Sequence, residues 1–216
     1  MKIPLYLSCP KCQTKQYVWI LLHADEACYI CQNKKCLHER SFGFSIETMR
    51  LGWRLLLRSQ YELIESKDYA LSIVMSACAF DVDVSRLNIK WQGIRELEKG
   101  QMYDPKILEQ ELLKHRKVIE KLKSTGKLLS LKGFNGYVKD SKKYQESISS
   151  GFNNIDLDNP AQSFIEALFY PRNEILHMGK NTYTEEQARS CHNTALLGLN
   201  ILWEMDLDRR KLRKES

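Results

Sequence analysis

The chain has 216 residues, of which 43% are hydrophobic and 28% are charged, and it carries a formal net charge of +6. This length and composition are ordinary for a soluble globular protein with one domain, or with one domain plus a small module. No apolar run is long enough to cross a bilayer, which argues against a membrane protein. The mild basic excess is compatible with a nucleic acid as partner.

Seven cysteines occur in the chain, and five of them fall between residues 9 and 36. An odd and clustered set is unlike the disulfide framework of a secreted protein, and it predicts a reducing, cytoplasmic compartment. The two isolated cysteines, Cys78 and Cys191, lie on apolar helix faces. They are expected to be small buried hydrophobic residues.

Residues 1–43 are predicted to form a small β module that binds zinc, with short strands at residues 16–22 and 28–30. Cys9 and Cys12 are separated by two residues, and Cys31 and Cys36 follow further along the chain. Four thiolates at such spacing can close a tetrahedral Zn²⁺ shell, which replaces the core that so short a segment cannot build. Cys28 and Cys31 are also separated by two residues, so Cys28 could replace Cys36 as a ligand.

The segment from Tyr29 to His38 resembles the second knuckle of the zinc-finger family found in phage late-gene activators. In that family a cysteine, a polar residue followed by Asn, and a second cysteine precede a histidine. The resemblance covers only the N-terminal module. It implies Cys9, Cys12, Cys31 and Cys36 as ligands of a structural Zn²⁺, with Cys28 left in a strand. It also implies contact with a nucleic acid or a protein, although a purely structural role is equally compatible.

The remainder, residues 44–216, is predicted to be a mainly α domain. Apolar residues recur at helical spacing from Ser45 to Ile64, and a second helix is predicted over residues 68–83. The two should form an antiparallel pair around Ser66 and Lys67. Residues 84–158 are interpreted as an insertion, with a helix over residues 107–122 and then loops signalled by glycines. The insertion could be a lid, a partner-binding element or a surface excursion. The glycines concerned are Gly126, Gly133, Gly136 and Gly151.

A third core helix is predicted to begin with Asn159 as its cap and Pro160 at its first position, with Gln162 closing a capping box. It should end near Gly179, and Pro171 inside it should produce a kink. Its inward-facing residues are predicted to be Phe164, Ile165, Leu168, Ile175 and Leu176.

The fourth helix is predicted to begin with a capping box formed by Thr184 and Gln187. It is followed by a basic tail over residues 209–214, which could be either a solvated terminus or a contact with RNA. Its apolar stripe comprises Ala188, Cys191, Ala195, Leu199 and Leu202.

The chemistry-bearing motif is Arg172 followed directly by Asn173, then three residues and His177. Asn173 and His177 are four positions apart and therefore share a helix face. A guanidinium can hold a phosphate, a carboxamide can orient a ribose hydroxyl, and an imidazole can move its proton near neutral pH. The structural alternative is a surface salt bridge from Arg172 to Glu174 or Glu166, with His177 capping the end of the helix.

The motif and its helical setting resemble the HEPN family (higher eukaryotes and prokaryotes nucleotide-binding). The resemblance implies a four-helix up-down bundle and a metal-independent endoribonuclease of toxin–antitoxin, anti-phage or RNA-processing systems. It further implies a homodimer whose two motifs face one cleft, and an antitoxin or sensor protein as a possible partner.

Carried over by residue, Arg172 would hold the scissile phosphate, Asn173 would orient the substrate, and His177 would be the acid/base group. The acidic position that is usually Glu in the second helix would be Asp81, which is one methylene shorter, with Asp83 as the fallback. Two other hypotheses stay open: a non-catalytic module that binds a nucleotide or RNA, and a regulator that acts on nucleic acid through its zinc finger.

Overall fold

The computed structural model describes residues 2–8, 11–12, 15–21, 26–30, 33, 35–36, 39–43, 51–101, 104, 110, 117–148 and 155–215. Within these ranges the protein is mainly helical, as the sequence predicts, and a π-helical turn, Glu62–Ser66, extends the first helix. The α-helices of this part are α1 Leu51–Tyr61, α2 Tyr69–Glu98, α3 Val118–Leu129, α4 Gly133–Asp140, α5 Lys142–Ser147, α6 Pro160–Met178 and α7 Glu185–Glu215.

Two antiparallel hairpins precede the helices. Strand β1, Lys2–Ser8, pairs with β2, Lys15–Leu21, and strand β3, Glu26–Ile30, pairs with β4, Glu39–Gly43. Each hairpin therefore has a loop between its strands, at residues 9–14 and at residues 31–38. Strand β1 lies beside helix α1.

Helices α1 and α2 form the predicted antiparallel pair. Ser59, near the end of α1, hydrogen-bonds to Ser72 near the start of α2, whereas Gly52 lies against Asp83 further along α2. The chain reverses at Lys67, which has a φ of 55° in the left-handed region. The turn thus falls where the polar residues predicted it.

Helix α2 continues fifteen residues beyond the end that the sequence predicted, from Asp83 to Glu98. Val84, Leu87 and Trp91 are buried in this extension. Asn88 is buried with them, and its Nδ2 atom donates to Thr125 Oγ1 of α3 at 3.0 Å. Residues 84–98 consequently belong to the central helix rather than to an insertion.

Helices α3 to α5 are part of the same hydrophobic core, so residues 117–148 are not a surface excursion. The predicted helix over residues 107–122 was wrong as a single element, because Lys117 is extended, with φ −111° and ψ 131°, and α3 begins at Val118 and continues to Leu129. Most of residues 107–116 lie outside the described residues. Gly126, expected in a loop, lies inside α3. A Cβ at this position would lie 2.5 Å from Phe134 N, so the glycine lets α4 approach α3 closely. Gly133 and Gly136 lie in α4. The apolar residues that join these helices to the core are Leu122, Leu129, Phe134, Val138 and Tyr144.

The start of α6 is capped differently from the prediction. Pro160 is its first residue as expected, but Asn159 makes no side-chain cap. Instead Asn135 of α4 accepts a hydrogen bond from Ala161 N at 2.8 Å, and Gln162 donates to Glu166 at 2.8 Å. The predicted capping box at this helix was therefore wrong.

The end of α6 is as predicted. Gly179 adopts φ 65° and its N–H reaches Ile175 O, while Lys180 N reaches Glu174 O. The bond from Gly179 N–H to Ile175 O is that of the αL motif, which closes a helix with a left-handed glycine. Of the side chains expected to face inward, Leu176 is an exception, since it is 50% exposed.

Helix α7 begins with the predicted capping box. Gln187 N donates to Thr184 Oγ1 at 3.2 Å, and Thr184 N donates to Gln187 Oε1 at 3.0 Å. The predicted apolar stripe of α7 is buried throughout. At Gly198 an added Cβ would lie 2.5 Å from the ring of Phe80, so this glycine lets α7 pack directly on α2.

The four long helices alternate in direction. Phe80 of α2 stacks on Phe164 of α6 with ring centroids 6.1 Å apart, and further along α2 Trp91 reaches Asp206 of α7. Gly198 of α7 lies against Phe80, and Asp206 further along α7 meets Trp91 further along α2, so α2 and α7 run parallel. Gly198 also lies against Phe164 near the start of α6, whereas Tyr183 just before α7 reaches Pro171 near the end of α6, so α6 is antiparallel to both. None of the described helices has an apolar stretch that could cross a bilayer.

A buried hydroxyl cluster joins α1, α2 and α7. Ser59 Oγ lies 2.7 Å from Ser76 Oγ and 3.1 Å from His192 Nδ1, and all three residues are buried. Burial lowers the pKa of His192 from 6.5 to about 4, and the nearby Arg189 acts in the same direction. His192 is therefore a neutral core residue and not a surface group.

We expect the free energy of unfolding to fall between pH 6.5 and pH 4 because of His192. In that window the unfolded chain takes up a proton that the folded chain refuses, and the full loss amounts to about 3 kcal/mol. Urea unfolding at several pH values measures it. His192→Gln retains an acceptor for Ser59 and should show a flatter profile between pH 6.5 and pH 5. An equally steep decline in His192→Gln would contradict the assignment.

Candidate functional site

The predicted motif occupies the last turns of α6. Asn173 and His177 are exposed, and Arg172 is half-buried. The Arg172 Nη1 atom donates to Asn173 Oδ1 at 2.9 Å. The guanidinium therefore turns toward the carboxamide, as the sequence led us to expect, and the three groups lie at one end of the helix.

Helix geometry sets how these side chains diverge. Successive residues are rotated by about 100°, so Asn173 and His177 are about 40° apart and Arg172 and His177 are about 140° apart. Asn173 lies between the other two, and its contact with Arg172 shortens the gap. Within one chain, nonetheless, the guanidinium and the imidazole face different sides of α6.

On the α2 side, Arg172 and Asp81 both act electrostatically on Cys78. Partial burial raises the pKa of the Cys78 thiol, the Arg172 guanidinium lowers it, and the Asp81 carboxylate raises it. Both charged groups thus lie within electrostatic reach of this half-buried thiol. Cys78 is less buried than the sequence suggested, whereas Cys191 is buried as expected.

The predicted pairing of Arg172 with an acid of α2 is replaced by other ion pairs. Asp81 Oδ1 lies 3.2 Å from Lys121 Nζ of α3. The fallback, Asp83, is buried against α1 and lies 3.1 Å from Arg86 Nε. Asp81 and Arg172 thus share only the surroundings of Cys78, whereas Asp83 lies against Gly52 of α1.

The structural alternative for Arg172, a salt bridge to a neighbouring glutamate, was wrong. Glu174 binds Lys180, and Glu166 accepts from Gln162. The Arg172 Nε atom is buried, and it has no hydrogen-bond partner among the described residues. A buried donor left unpaired is costly, which makes it a feature that needs a functional or structural explanation.

Sequence reasoning missed a polar network beside His177. Lys180 Nζ and Tyr183 Oη each donate to Glu174 Oε2 at 2.8 Å, and Tyr183 Oη also lies 3.2 Å from Pro171 O. Hydrogen bonds from Lys180 and Tyr183 lower the pKa of Glu174, and burial together with Glu174 raises the pKa of Tyr183 to about 12. The network ties the last turn of α6 to the following loop. No periodicity or capping pattern marks it in the sequence.

A cavity of about 600 Å³ lies beside this network, between α6 and the start of α7. Glu166, Glu174 and Glu186 line it, with Lys180 as the cation among its lining residues. Three carboxylates against one ammonium repel an anion. This cavity is therefore unfavourable for an anion.

Two of the predicted ligands, Cys12 and Cys36, fall between the strands of the two hairpins. Cys12 and Cys36 are half-exposed there, and Asn33 O and Oδ1 accept from Cys36 N and Lys35 N, which curls the loop before Cys36. Cys28 lies within β3, where its backbone is opposite Ser41.

The predicted ligands Cys9 and Cys31 lie outside the described residues. No group of three or more His, Cys, Asp or Glu is gathered among the residues that can be placed, so the metal site stays a prediction.

Comparison with protein-family models, with curated proteins and with solved structures finds no match for this chain.

Proposed function

We propose that this protein is a metal-independent endoribonuclease of the HEPN type. The observation that carries the proposal is the exposed group at the end of α6, where Arg172 is hydrogen-bonded to Asn173 at 2.9 Å and His177 shares the face of Asn173. RNA supplies its own nucleophile in the 2′-hydroxyl. The protein then needs only to orient that hydroxyl, move protons and stabilise charge on phosphorus.

The proposed reaction forms a bond between O2′ and phosphorus and breaks the bond between phosphorus and O5′. One His177 imidazole accepts the proton from O2′, and a second, protonated imidazole gives a proton to O5′. Arg172 holds the non-bridging oxygens through its planar fork, and Asn173 orients the ribose. The products are a 2′,3′-cyclic phosphate and a 5′-hydroxyl.

A homodimer is part of the proposal, because attack and departure occur on opposite sides of the phosphorus and each chain offers one motif. The divergence of Arg172 and His177 around α6 favours a cleft completed by a second chain. Apolar side chains for such a contact stand beside the motif: Tyr170 is 69% exposed and Met178 is 77% exposed. Large exposed apolar side chains of this kind favour protein contacts.

We also propose that residues 1–43 hold a structural Zn²⁺ through Cys9, Cys12, Cys31 and Cys36. Cys9 directly follows β1 and Cys31 directly follows β3, so each hairpin loop would contribute two thiolates. Cys28 is the central residue of β3, at a position paired with β4. The metal would tie together two hairpins that are too short for a core of their own.

An RNA-binding module without catalysis is the second candidate. The ion pair between Asp81 and Lys121 favours it, because the acid is then not available to orient Arg172. In either case the proposed setting is the cytoplasm, with an antitoxin or sensor protein as the regulatory partner.

Cleavage of RNA in the presence of EDTA tests the proposed function. The purified full chain should cut a structured RNA without added metal, and the 5′ fragments should end in a cyclic phosphate that resists ligation until it is opened and the phosphate is removed. Tight binding without any product would select the second candidate. Cleavage that depends on a divalent ion would reject the proposed mechanism.

A further inference from the structure

A second cavity, of about 810 Å³, lies between the ends of α2 and α7. We call it the basic groove and define it by four cations that line it. Trp91 and Ile94 form part of its wall, and none of the described residues that line it carries a carboxylate. The defining cations are Lys90, Arg210, Lys211 and Arg213.

The inner part of the basic groove is anchored on one buried acid. Asp206 accepts from Trp91 Nε1 at 2.7 Å and lies 2.5 Å from Lys90 Nζ and 2.6 Å from Arg210 Nη2. Two cations therefore share one fully buried carboxylate, which leaves one positive charge in excess. Arg209 adds another, with its guanidinium 5.9 Å from the centre of the Trp91 ring.

The outer part is held by weaker contacts. Arg213 Nε lies 2.9 Å from Glu98, and Lys211 Nζ lies 3.4 Å from Asp208, and the side chains of both pairs are between 46% and 71% exposed. Exposed pairs of this kind contribute little to stability, so a polyanion can displace them at little cost. The helix dipoles at these C-terminal ends explain why cations are tolerated there, but not why four line one groove.

The basic groove is well separated from the motif. Ile94 is sixteen residues along α2 from Cys78, the neighbour of Arg172, and this corresponds to about 24 Å of helix. A nucleic-acid strand that reached both places would have several nucleotides between them. Its charge is opposite to that of the acidic cavity beside α6.

We propose that the basic groove binds the phosphate backbone of the RNA strand beyond the cleavage site. This rests on the proposed function only in taking RNA as the ligand, since the site itself is defined by its own residues. A backbone contact of this kind raises affinity for any sequence and makes binding depend on salt.

Binding of a 2′-O-methylated RNA oligonucleotide, which cannot be cleaved, tests the proposal at several salt concentrations. The variant is Lys211→Gln combined with Arg213→Gln. The matched control is Lys123→Gln combined with Lys127→Gln, two exposed lysines of α3 with the same change in charge. Loss of two phosphate contacts on a single strand should reduce the salt slope by about 1.4 and weaken binding by roughly tenfold or more at 0.1 M salt.

Equal affinity and equal slope for the two double variants would overturn the proposal. The proposal would also be overturned if the groove variant lost binding to polyglutamate, used as a second probe, but bound the oligonucleotide as the control does. That result would assign the groove to an acidic protein. If the wild-type protein binds the oligonucleotide through the groove but cuts no RNA, the proposal for the groove is supported and the proposed nuclease activity is rejected. If it cuts RNA and the groove variant binds as the control does, the nuclease proposal is supported and the proposal for the groove is rejected.

Discussion

Replacing His177 with alanine should slow RNA cleavage by about 10²–10⁴-fold, the usual contribution of a positioned acid or base. The imidazole is exposed on the last turn of α6, so its loss should leave the melting temperature almost unchanged. Single-turnover cleavage in EDTA is the measurement. Asn181→Ala, an exposed residue in the loop after α6, is the matched control and should cleave at the wild-type rate.

Arg172 provides the second arm of the same experiment. Arg172→Ala removes the fork that holds the phosphate, whereas Arg172→Lys retains the charge without its bidentate geometry. We expect the lysine variant to be slower than wild type and faster than the alanine variant. Wild-type rates in His177→Ala or Arg172→Ala, with the protein folded, would remove the basis of the nuclease proposal.

Local signals in the sequence predicted those parts of the fold that depend on neighbouring residues. The capping box of Thr184 and Gln187, the end of α6 at Gly179 and the turn at Lys67 all appear where short motifs placed them. The buried stripe of α7 followed from periodicity alone. Each of these features is decided within about one helical turn, where sequence spacing translates directly into contact.

Features decided by contacts between distant residues were missed. The second helix was predicted to end at Asp83, yet α2 continues, and the polar Asn88 in its extension is buried because it donates to Thr125 of α3. Gly126 looked like a loop residue, but it is the point where α4 approaches α3. The cap of α6 comes from Asn135, 26 residues earlier. Tertiary packing overrides local preference in all three cases.

The candidate site shows the same division. The spacing of Asn173 and His177 placed them on one exposed face, and the turn of Arg172 toward Asn173 was foreseen. The partner of Asp81 was not, because Lys121 arrives from a helix whose position no pattern indicated. The network that joins Glu174, Lys180 and Tyr183 was likewise not indicated by the sequence.

Zinc content should separate the two possible ligand sets in the N-terminal module. With Cys36 as a ligand, Cys36→Ser should reduce bound zinc from about one per chain to almost none after dialysis, because structural zinc sites need all four ligands. Cys28→Ser is the matched control and should retain its zinc, since Cys28 lies inside β3 opposite Ser41. Metal analysis of the purified chains gives the stoichiometry.

Cobalt substitution extends this test to a variant that retains some metal. A four-thiolate site and a three-thiolate site give different visible absorption with Co²⁺, so Cys36→Ser should lose the four-thiolate spectrum even if an ion stays bound. The reverse pattern, with loss in Cys28→Ser and retention in Cys36→Ser, would assign the ligands to Cys9, Cys12, Cys28 and Cys31. In that arrangement the second pair of ligands would begin inside β3, at the position opposite Ser41.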